Sequence, residues 1–202
     1  MKEAELYPIV GEFIKKEYNC FFTKIEFGKE GIGSIDVFGM HTNTNNNENE
    51  TVGVEVKIDK NPISTNFGQA KGYSIFCHKV FFASLNNFTE EEKNIAEFLG
   101  IGLISIENIG KQNFVCHKVL EPPKNKPIED LLKLILERAK VITCDKCGTT
   151  EKRDFTQTTY GLDRIPEYTK NMVERGKDLL VRNKEGKEFY CNKCIRKIIL
   201  KS

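Results

Sequence analysis

Leu6, Ile9, Val10, Phe13 and Ile14 recur at intervals of three and four, which predicts a helix over residues 4–18 with Glu5 and Glu12 on its flank. The period then drops to two. Residues 21–27 and 33–40 read as strands, and Gly28, Gly31 and Gly33 suit a hairpin connection between them. An Asn-rich stretch from Thr42 to Glu50 reads as a solvated loop. In residues 52–58, Val52, Val54, Val56 and Ile58 alternate with Gly53, Glu55 and Lys57, which predicts a strand with one apolar and one polar face.

Ser64, Thr65 and Asn66 offer N-caps for a helix over Phe67 to Cys77, and Lys79 to Ser84 reads as a buried strand. Thr89 and Glu92 form a capping-box pattern that opens a helix ending at Gly100. Ile101 to Ile106 is a further buried strand, and residues 111–120 suit an edge strand. Strands separated by helices need crossover connections, so the order α-β-β-β-α-β-α-β makes the first 110 or so residues an α/β domain with a mixed sheet. Glu121 to Pro127 reads as a linker and Ile128 to Lys140 as an amphipathic helix, which places a domain boundary near residue 140 and divides the chain into 1–140 and 141–202.

The length of 202 residues accommodates one ordinary domain and a small appendage, and 39% hydrophobic residues suffice for a packed core. No apolar run approaches the roughly 18 residues of a membrane span, and Met1-Lys2-Glu3-Ala4-Glu5 is not a secretory start. A cytoplasmic protein with no membrane partner is the expectation. Charge is unevenly spread: residues 1–140 carry a net −3 and residues 141–202 a net +5, a basic tail that permits nucleic acid as a partner.

Glu55 and Lys57 lie two apart on one strand and therefore share a face. Amphipathic strands often turn such a pair to water, but Asp36 on the preceding strand can meet Glu55 across the ladder. Two carboxylates in one place repel unless a cation lies between them. A hard divalent ion, Mg2+ or Mn2+, suits that donor set, and a neighbouring lysine can polarise a water or offset charge on a phosphoryl group. His41, His78 and His117 are scattered and form no triad with a nucleophile.

Gly33-Ser34-Ile35-Asp36, Glu55-Val56-Lys57 and Gln69-Ala70-Lys71-Gly72-Tyr73 resemble, in order, the G-x-x-D, (D/E)-x-K and Q-x-x-x-Y motifs of the PD-(D/E)xK nuclease superfamily, the last most like its RecB-like branch. The proline that gives the family its name is replaced by Ile35. The resemblance covers residues 1–106 and implies a restriction-endonuclease-like αβββαβ core. It implies metal ligation by Asp36, Glu55 and the Val56 carbonyl, activation or orientation of water by Lys57, and orientation of water or phosphate by Gln69. Tyr73, on the face of Gln69, would touch the substrate or pack the helix on the sheet, and Glu12 is a further candidate ligand from the first helix.

Of seven cysteines, Cys20, Cys77 and Cys116 sit singly in apolar surroundings and read as small buried hydrophobes. Cys144-x-x-Cys147 and Cys191-x-x-Cys194 form two pairs, each able to present two thiolates to one edge of a tetrahedron. Four sulfurs predict a closed, structural Zn2+ site in a zinc ribbon or treble clef; an iron–sulfur cluster is the alternative. After the second pair, Ile195, Ile198 and Ile199 fall on one side of a helix and Lys193, Arg196, Lys197 and Lys201 on the other. That basic face suits phosphate or simply water, as does the mix of Arg153, Arg164, Arg175 and Arg182 with Tyr160, Tyr168 and Tyr190 between the pairs.

These readings lead to an expected Mg2+-dependent deoxyribonuclease, with endonuclease action favoured, DNA preferred over RNA, and the zinc module aiding substrate binding. A homodimer would suit the cutting of two strands. The alternative is a catalytically inactive adaptor that uses the same fold to bind nucleic acid or protein.

Overall fold

The computed structural model describes residues 1–29, 33–43, 49–60, 63–85, 87–110, 113–138, 140–183 and 186–199. Gly31, most of the Asn-rich stretch and Lys201 lie outside them. The chain divides into two compact units, Met1–Ile135 and Leu136–Ser202. The division falls a few residues before the expected boundary because the last turn of the linking helix belongs with the second unit, where Glu137 pairs with Arg182 at 2.7 Å and with Lys187 at 2.6 Å.

The first unit begins with a short 3-10 turn at Glu3–Glu5, followed by α1 (Tyr7–Glu17) with Pro8 in its first turn, where the missing N–H costs nothing. The strands β1 (Phe22–Lys29), β2 (Gly33–Thr42) and β3 (Asn49–Lys57) follow, then α2 (Ile63–Gly72), a 3-10 turn at Tyr73–Ile75, β4 (Lys79–Ser84), α3 (Glu90–Leu99), β5 (Gly102–Asn108) and β6 (Phe114–Leu120). Thr89 accepts the Glu92 N–H at 3.2 Å while Glu92 accepts the Thr89 N–H at 2.7 Å, completing the capping box. Gly100 ends α3 at φ +67°, a conformation that glycine adopts without strain.

The six strands form one mixed sheet in the order β1-β2-β3-β4-β5-β6. The pairs β3–β4 and β4–β5 are parallel, as helical crossovers require, and the other three are antiparallel. One face is covered by α1: Leu6, Val10 and Ile14 pack on Val37, Val52, Val54, Val56, Phe81 and Ile104. On α2 and the segment before α3, Phe67 and Phe88 meet Phe82 edge-on, with ring centroids 5.1 and 6.1 Å apart. The face of β3 carrying Gly53 and Glu55 is therefore buried, contrary to a half-solvated strand; at Gly53 a Cβ would lie 2.8 Å from Cys77 Sγ. Cys20 and Cys77 are buried as expected, and Cys116 is half-buried.

The linking helix α4 (Glu129–Arg138) leads into a hairpin of β7 (Val141–Thr143) and β8 (Thr150–Lys152). Then come β9 (Phe155–Thr158), α5 (Glu167–Glu174), β10 (Asp178–Asn183), β11 (Gly186–Tyr190) and α6 (Asn192–Ile199). A small sheet runs β11-β10-β9, with β9 parallel to β10. Its core gathers Val173, Leu179, Val181, Tyr190 and Ile195. No helix among the described residues is long and apolar enough to cross a membrane.

Candidate functional site

At Asp36 the sheet opens. The β2–β3 ladder is paired from Thr42 and Asn49 to Val37 and Val54 and goes no further. On the other side, the register with β1 passes from Ile25–Val37 to Phe27–Ile35, and Glu26, opposite Asp36, has φ +48°. A non-glycine residue in that region stores roughly 1–3 kcal/mol of strain, of the kind that accumulates where a site is shaped. Asp36 fills the opening with its side chain, its Oδ2 accepting the Val56 N–H at 2.8 Å.

Glu55 and Lys57 follow on β3. Lys57 Nζ lies 2.6 Å from Glu55 Oε1, 3.1 Å from Glu3 Oε1 and 3.9 Å from Asp36 Oδ2, and donates to the Val56 carbonyl at 3.3 Å. Glu55 is only 4% exposed. A buried carboxylate needs partners, and it has the lysine and the Tyr73 hydroxyl, which donates to its Oε2 and lies 2.8 Å from the Ser34 carbonyl oxygen. The Tyr7 hydroxyl donates to Glu3 Oε1 at 3.2 Å.

This crowding governs the titrations. Burial pushes the Asp36 carboxyl up to about 6; the Val56 N–H and the Lys57 charge oppose the rise, and Glu55 and Glu3 add to it. Burial works against the Lys57 ammonium, but the hydrogen bonds and charges of Glu55, Glu3 and Asp36 outweigh it and hold Lys57 above its ordinary value. Burial, then neighbouring carboxylates, raise both Tyr7 and Tyr73, which remain protonated donors.

The structure thus brings Asp36, Glu55, Val56, Lys57 and Tyr73 together, and among the described residues no hydrogen bond or ion pair joins Glu12 or Gln69 to them. Glu12 is exposed and pairs with Lys15 at 3.5 Å. The acidic residue that the amino-terminal segment supplies is Glu3, in the 3-10 turn before α1. It carried no sequence signal, because nothing in its neighbours' spacing distinguishes it from Glu5. Gln69 is exposed on α2. α2 ends at Gly72, whose backbone stays right-handed helical, and Tyr73 opens a 3-10 turn from which its hydroxyl reaches Glu55.

The cluster lies at the carboxyl end of β3, and open α/β sheets commonly bind ligands beyond such strand ends. Lys57 is in register with Ser84 at the end of β4, and Ser84 with Ser105 on β5. Three carboxylates against one ammonium leave a formal charge of −2 when all are ionised; their hard oxygens are of the type Mg2+ takes, but they gather around Lys57 Nζ and do not converge on one point as a ligand set. The histidines stand apart from this cluster: His41 lies 3.8 Å from Glu50, His78 Nδ1 accepts the Thr51 N–H at 3.1 Å, and exposed His117 lies 3.6 Å from Glu107.

In the second unit the four cysteine sulfurs all lie within 4.8 Å of one another, the only converging group of three or more Cys, His, Asp or Glu ligand atoms among the described residues. Cys147 Sγ and Cys191 Sγ are 3.8 Å apart, close to the roughly 3.8 Å edge of a tetrahedron with 2.3 Å metal–sulfur bonds. The first pair sits between β7 and β8, the second at the start of α6. Cys144 Sγ accepts the Cys191 N–H at 3.3 Å, and Cys147 is 3.3 Å from the Thr149 hydroxyl, which draws its thiol down to about 6. The Thr149 hydroxyl thus favours the Cys147 thiolate, whereas burial raises Cys191 and Cys194, whose thiolates need a metal's charge beside them.

Around this centre, Lys193, Arg196 and Lys197 are exposed on α6, and so is Ile198, expected on the covered side. Arg153 and Arg182 are committed to Asp178 and Glu137, and Tyr190 is buried, so these three serve the fold of the unit. Tyr160 and Tyr168 are exposed. Compared with models of known families, with curated proteins and with solved structures, the chain finds no match.

Proposed function

We propose that the protein is a metal-dependent nuclease that hydrolyses DNA phosphodiester bonds. The observation that carries this reading is the convergence of Asp36, Glu55 and Lys57 where β2 and β3 part, with Lys57 Nζ between two carboxylates at the carboxyl end of β3. It is the arrangement that the resemblance to PD-(D/E)xK nucleases implies, on a mixed sheet of compatible strand order.

In this reading Asp36, Glu55 and the Val56 carbonyl hold the ion, and Glu3 takes the place expected of Glu12. When bound, such an ion supplies Lewis acidity toward a phosphoryl oxygen and lowers the pKa of a water. Lys57 donates its ammonium hydrogens to the attacking water or to a phosphate oxygen as charge builds there. The Val56 N–H and the Tyr73 hydroxyl position Asp36 and Glu55 respectively through hydrogen bonds. The cysteine quartet holds structural Zn2+ in a treble-clef-like or ribbon-like module, and its exposed Lys193, Arg196 and Lys197 contact phosphates.

The test is incubation of the purified chain with circular and linear, single- and double-stranded DNA, with Mg2+ or Mn2+, beside Lys57→Ala. Metal-dependent cutting lost in the variant supports the reading; a preparation that never cuts, or a variant that cuts equally well, overturns it. One observation favours an inactive adaptor instead: Tyr73 and Lys57 already engage both Glu55 oxygens. Absence of divalent-ion binding to the first unit would decide for the adaptor.

A further inference from the structure

The second unit carries a cleft of its own. By the register of its small sheet and the alternation of side chains along a strand, Phe155 and Gln157 on β9, Leu180 and Arg182 on β10, and Lys187 and Phe189 on β11 share one face. Leu179 and Val181 take the opposite face, where they pack with Val173 and Ile195. On the first face opens a cleft of about 480 Å3, bordered by Phe155, Thr156, Gln157 and Arg182 and by Glu137 and Lys140, at and just beyond the end of α4. A recess of that size takes a group as large as a nucleotide.

One part of the cleft is aromatic and amide, the other cationic. The ring of Phe155 meets that of Phe189 edge-on at 5.6 Å and, half-buried, forms part of the wall; Gln157 beside it is exposed. Glu137 holds Arg182 at 2.7 Å and Lys187 at 2.6 Å, and Lys140 lies 3.4 Å from Asp154, which also pairs with Lys177. Four cations against two carboxylates leave a formal +2 among these groups. Arg182 thus ties α4 to the sheet and still presents charge at the cleft: its side chain is 42% exposed and that of Lys140 54%, so an anion reaches both without opening a core.

An aromatic ring and a carboxamide in a recess bordered by exposed cations match the two halves of a nucleotide, a flat base and a phosphate. An acidic peptide would use the cations and leave the ring idle. A duplex keeps its bases stacked inside and offers the ring no base face.

We propose that this cleft binds one nucleotide of a single nucleic-acid strand, with its base against Phe155 and Gln157 and its phosphate near Lys140 and Arg182. The inference rests on the reading of the second unit as the part that holds the substrate, and adds to it a contact besides the basic face of α6 and the form of the strand.

The experiment measures binding of the full chain, with Ca2+ in place of Mg2+, to a labelled thymidine oligonucleotide, to the same strand made abasic throughout and to a duplex of equal length, for wild type, Phe155→Leu, Gln157→Ala and Lys140→Gln. Expected for Phe155→Leu is an affinity for the intact strand lower by about fivefold or more, with wild-type affinity for the abasic strand and the duplex; Gln157→Ala follows the same pattern with a smaller loss. Lys140→Gln weakens the intact and abasic strands alike and makes the salt dependence shallower, by about 0.7 in the logarithmic slope. Should Phe155→Leu lose its zinc, Gln157→Ala decides, because that residue is exposed. Unchanged binding in all three variants, ring and carboxamide losses that persist on the abasic strand or the duplex, or losses confined to Lys140→Gln, the mark of a surface for any polyanion, overturns the proposal. Cleavage assays on the same proteins separate the two readings. A wild type that cuts, with variants that bind as it does, removes the cleft alone; strand binding with the expected losses but no cutting removes the nuclease reading and leaves the cleft; a wild type that neither cuts nor binds a strand removes both.

Discussion

The Asp36 carboxylate takes the Val56 N–H at 2.8 Å, in the gap where the ladder between their strands has ended. A side chain thus does what a backbone carbonyl does elsewhere in the sheet. The cost is a carboxylate held close to Glu55 and Glu3, and its affinity for a proton is raised accordingly.

From that follows a pH dependence of the metal-free protein. The Asp36 carboxyl titrates near 3.8 in the unfolded chain and at about 6 when folded. Between those values the folded state binds more protons, so the contribution is fully present below pH 3.8 and lost as pH rises through about 6. The rise corresponds to at most about 3 kcal/mol. In the presence of a chelator, Asp36→Asn, which still accepts the Val56 N–H, is expected to equal or exceed wild type in stability at pH 7 and to show a flatter profile from pH 4 to 7. Urea unfolding across that range checks it; a variant clearly weaker at pH 7 would count against the crowding described.

Lys57 neutralises the cluster from within, so its removal trades stability against metal affinity. Lys57→Ala leaves Glu55 buried beside Asp36 and Glu3, and destabilisation of about 2–4 kcal/mol in the metal-free state is expected, below the range for fully buried pairs because the lysine is 20% exposed. Mn2+ should then raise the melting temperature of the variant more than that of wild type. Equal shifts in the two proteins would argue that the carboxylates do not share one ion.

Glu26 sits in left-handed backbone opposite Asp36. Glycine inside a strand ordinarily weakens it, but here Glu26→Gly is expected to be neutral or to stabilise by up to about 1 kcal/mol, because the folded conformation no longer strains a side chain. Denaturant midpoints of the two proteins give the answer, and a clear loss would show that the Glu26 side chain contributes more than its backbone costs.

Metal removal tests the second unit. One Zn2+ per chain is expected by elemental analysis, and chelation or Cys144→Ser should abolish cooperative unfolding of the second unit, because so small a core needs the metal. The first unit has its own core and should keep its transition. Iron with visible absorbance in place of zinc would change the cofactor and leave the four-cysteine assignment standing.

Much of this was present in local pattern. The two-residue alternation of Val52, Val54 and Val56, the capping box at Thr89 and Glu92, and the spacing of the four cysteines each depend on neighbours a few residues apart, and each produced the element or cluster expected. The grouping of Asp36, Glu55 and Lys57 was legible as well, because a two-residue spacing on a strand and pairing with the strand before it fix a common face.

What local pattern could not decide is which side of a face meets water and which distant segment covers it. Glu55 looks like a surface residue until α2 and its 3-10 turn bring Tyr73 over it. Glu12 and Glu3 are equivalent as letters, and only the path of the chain into α1 turns Glu3 toward Lys57 and Glu12 toward Lys15. Gln69 and Tyr73, four apart, read alike in the spacing, yet Gln69 is exposed while the Tyr73 hydroxyl reaches Glu55. Periodicity along the chain sets direction relative to an element's own axis; burial, charge pairing and proton affinity depend on what other elements place against it, and those are properties of the packed molecule.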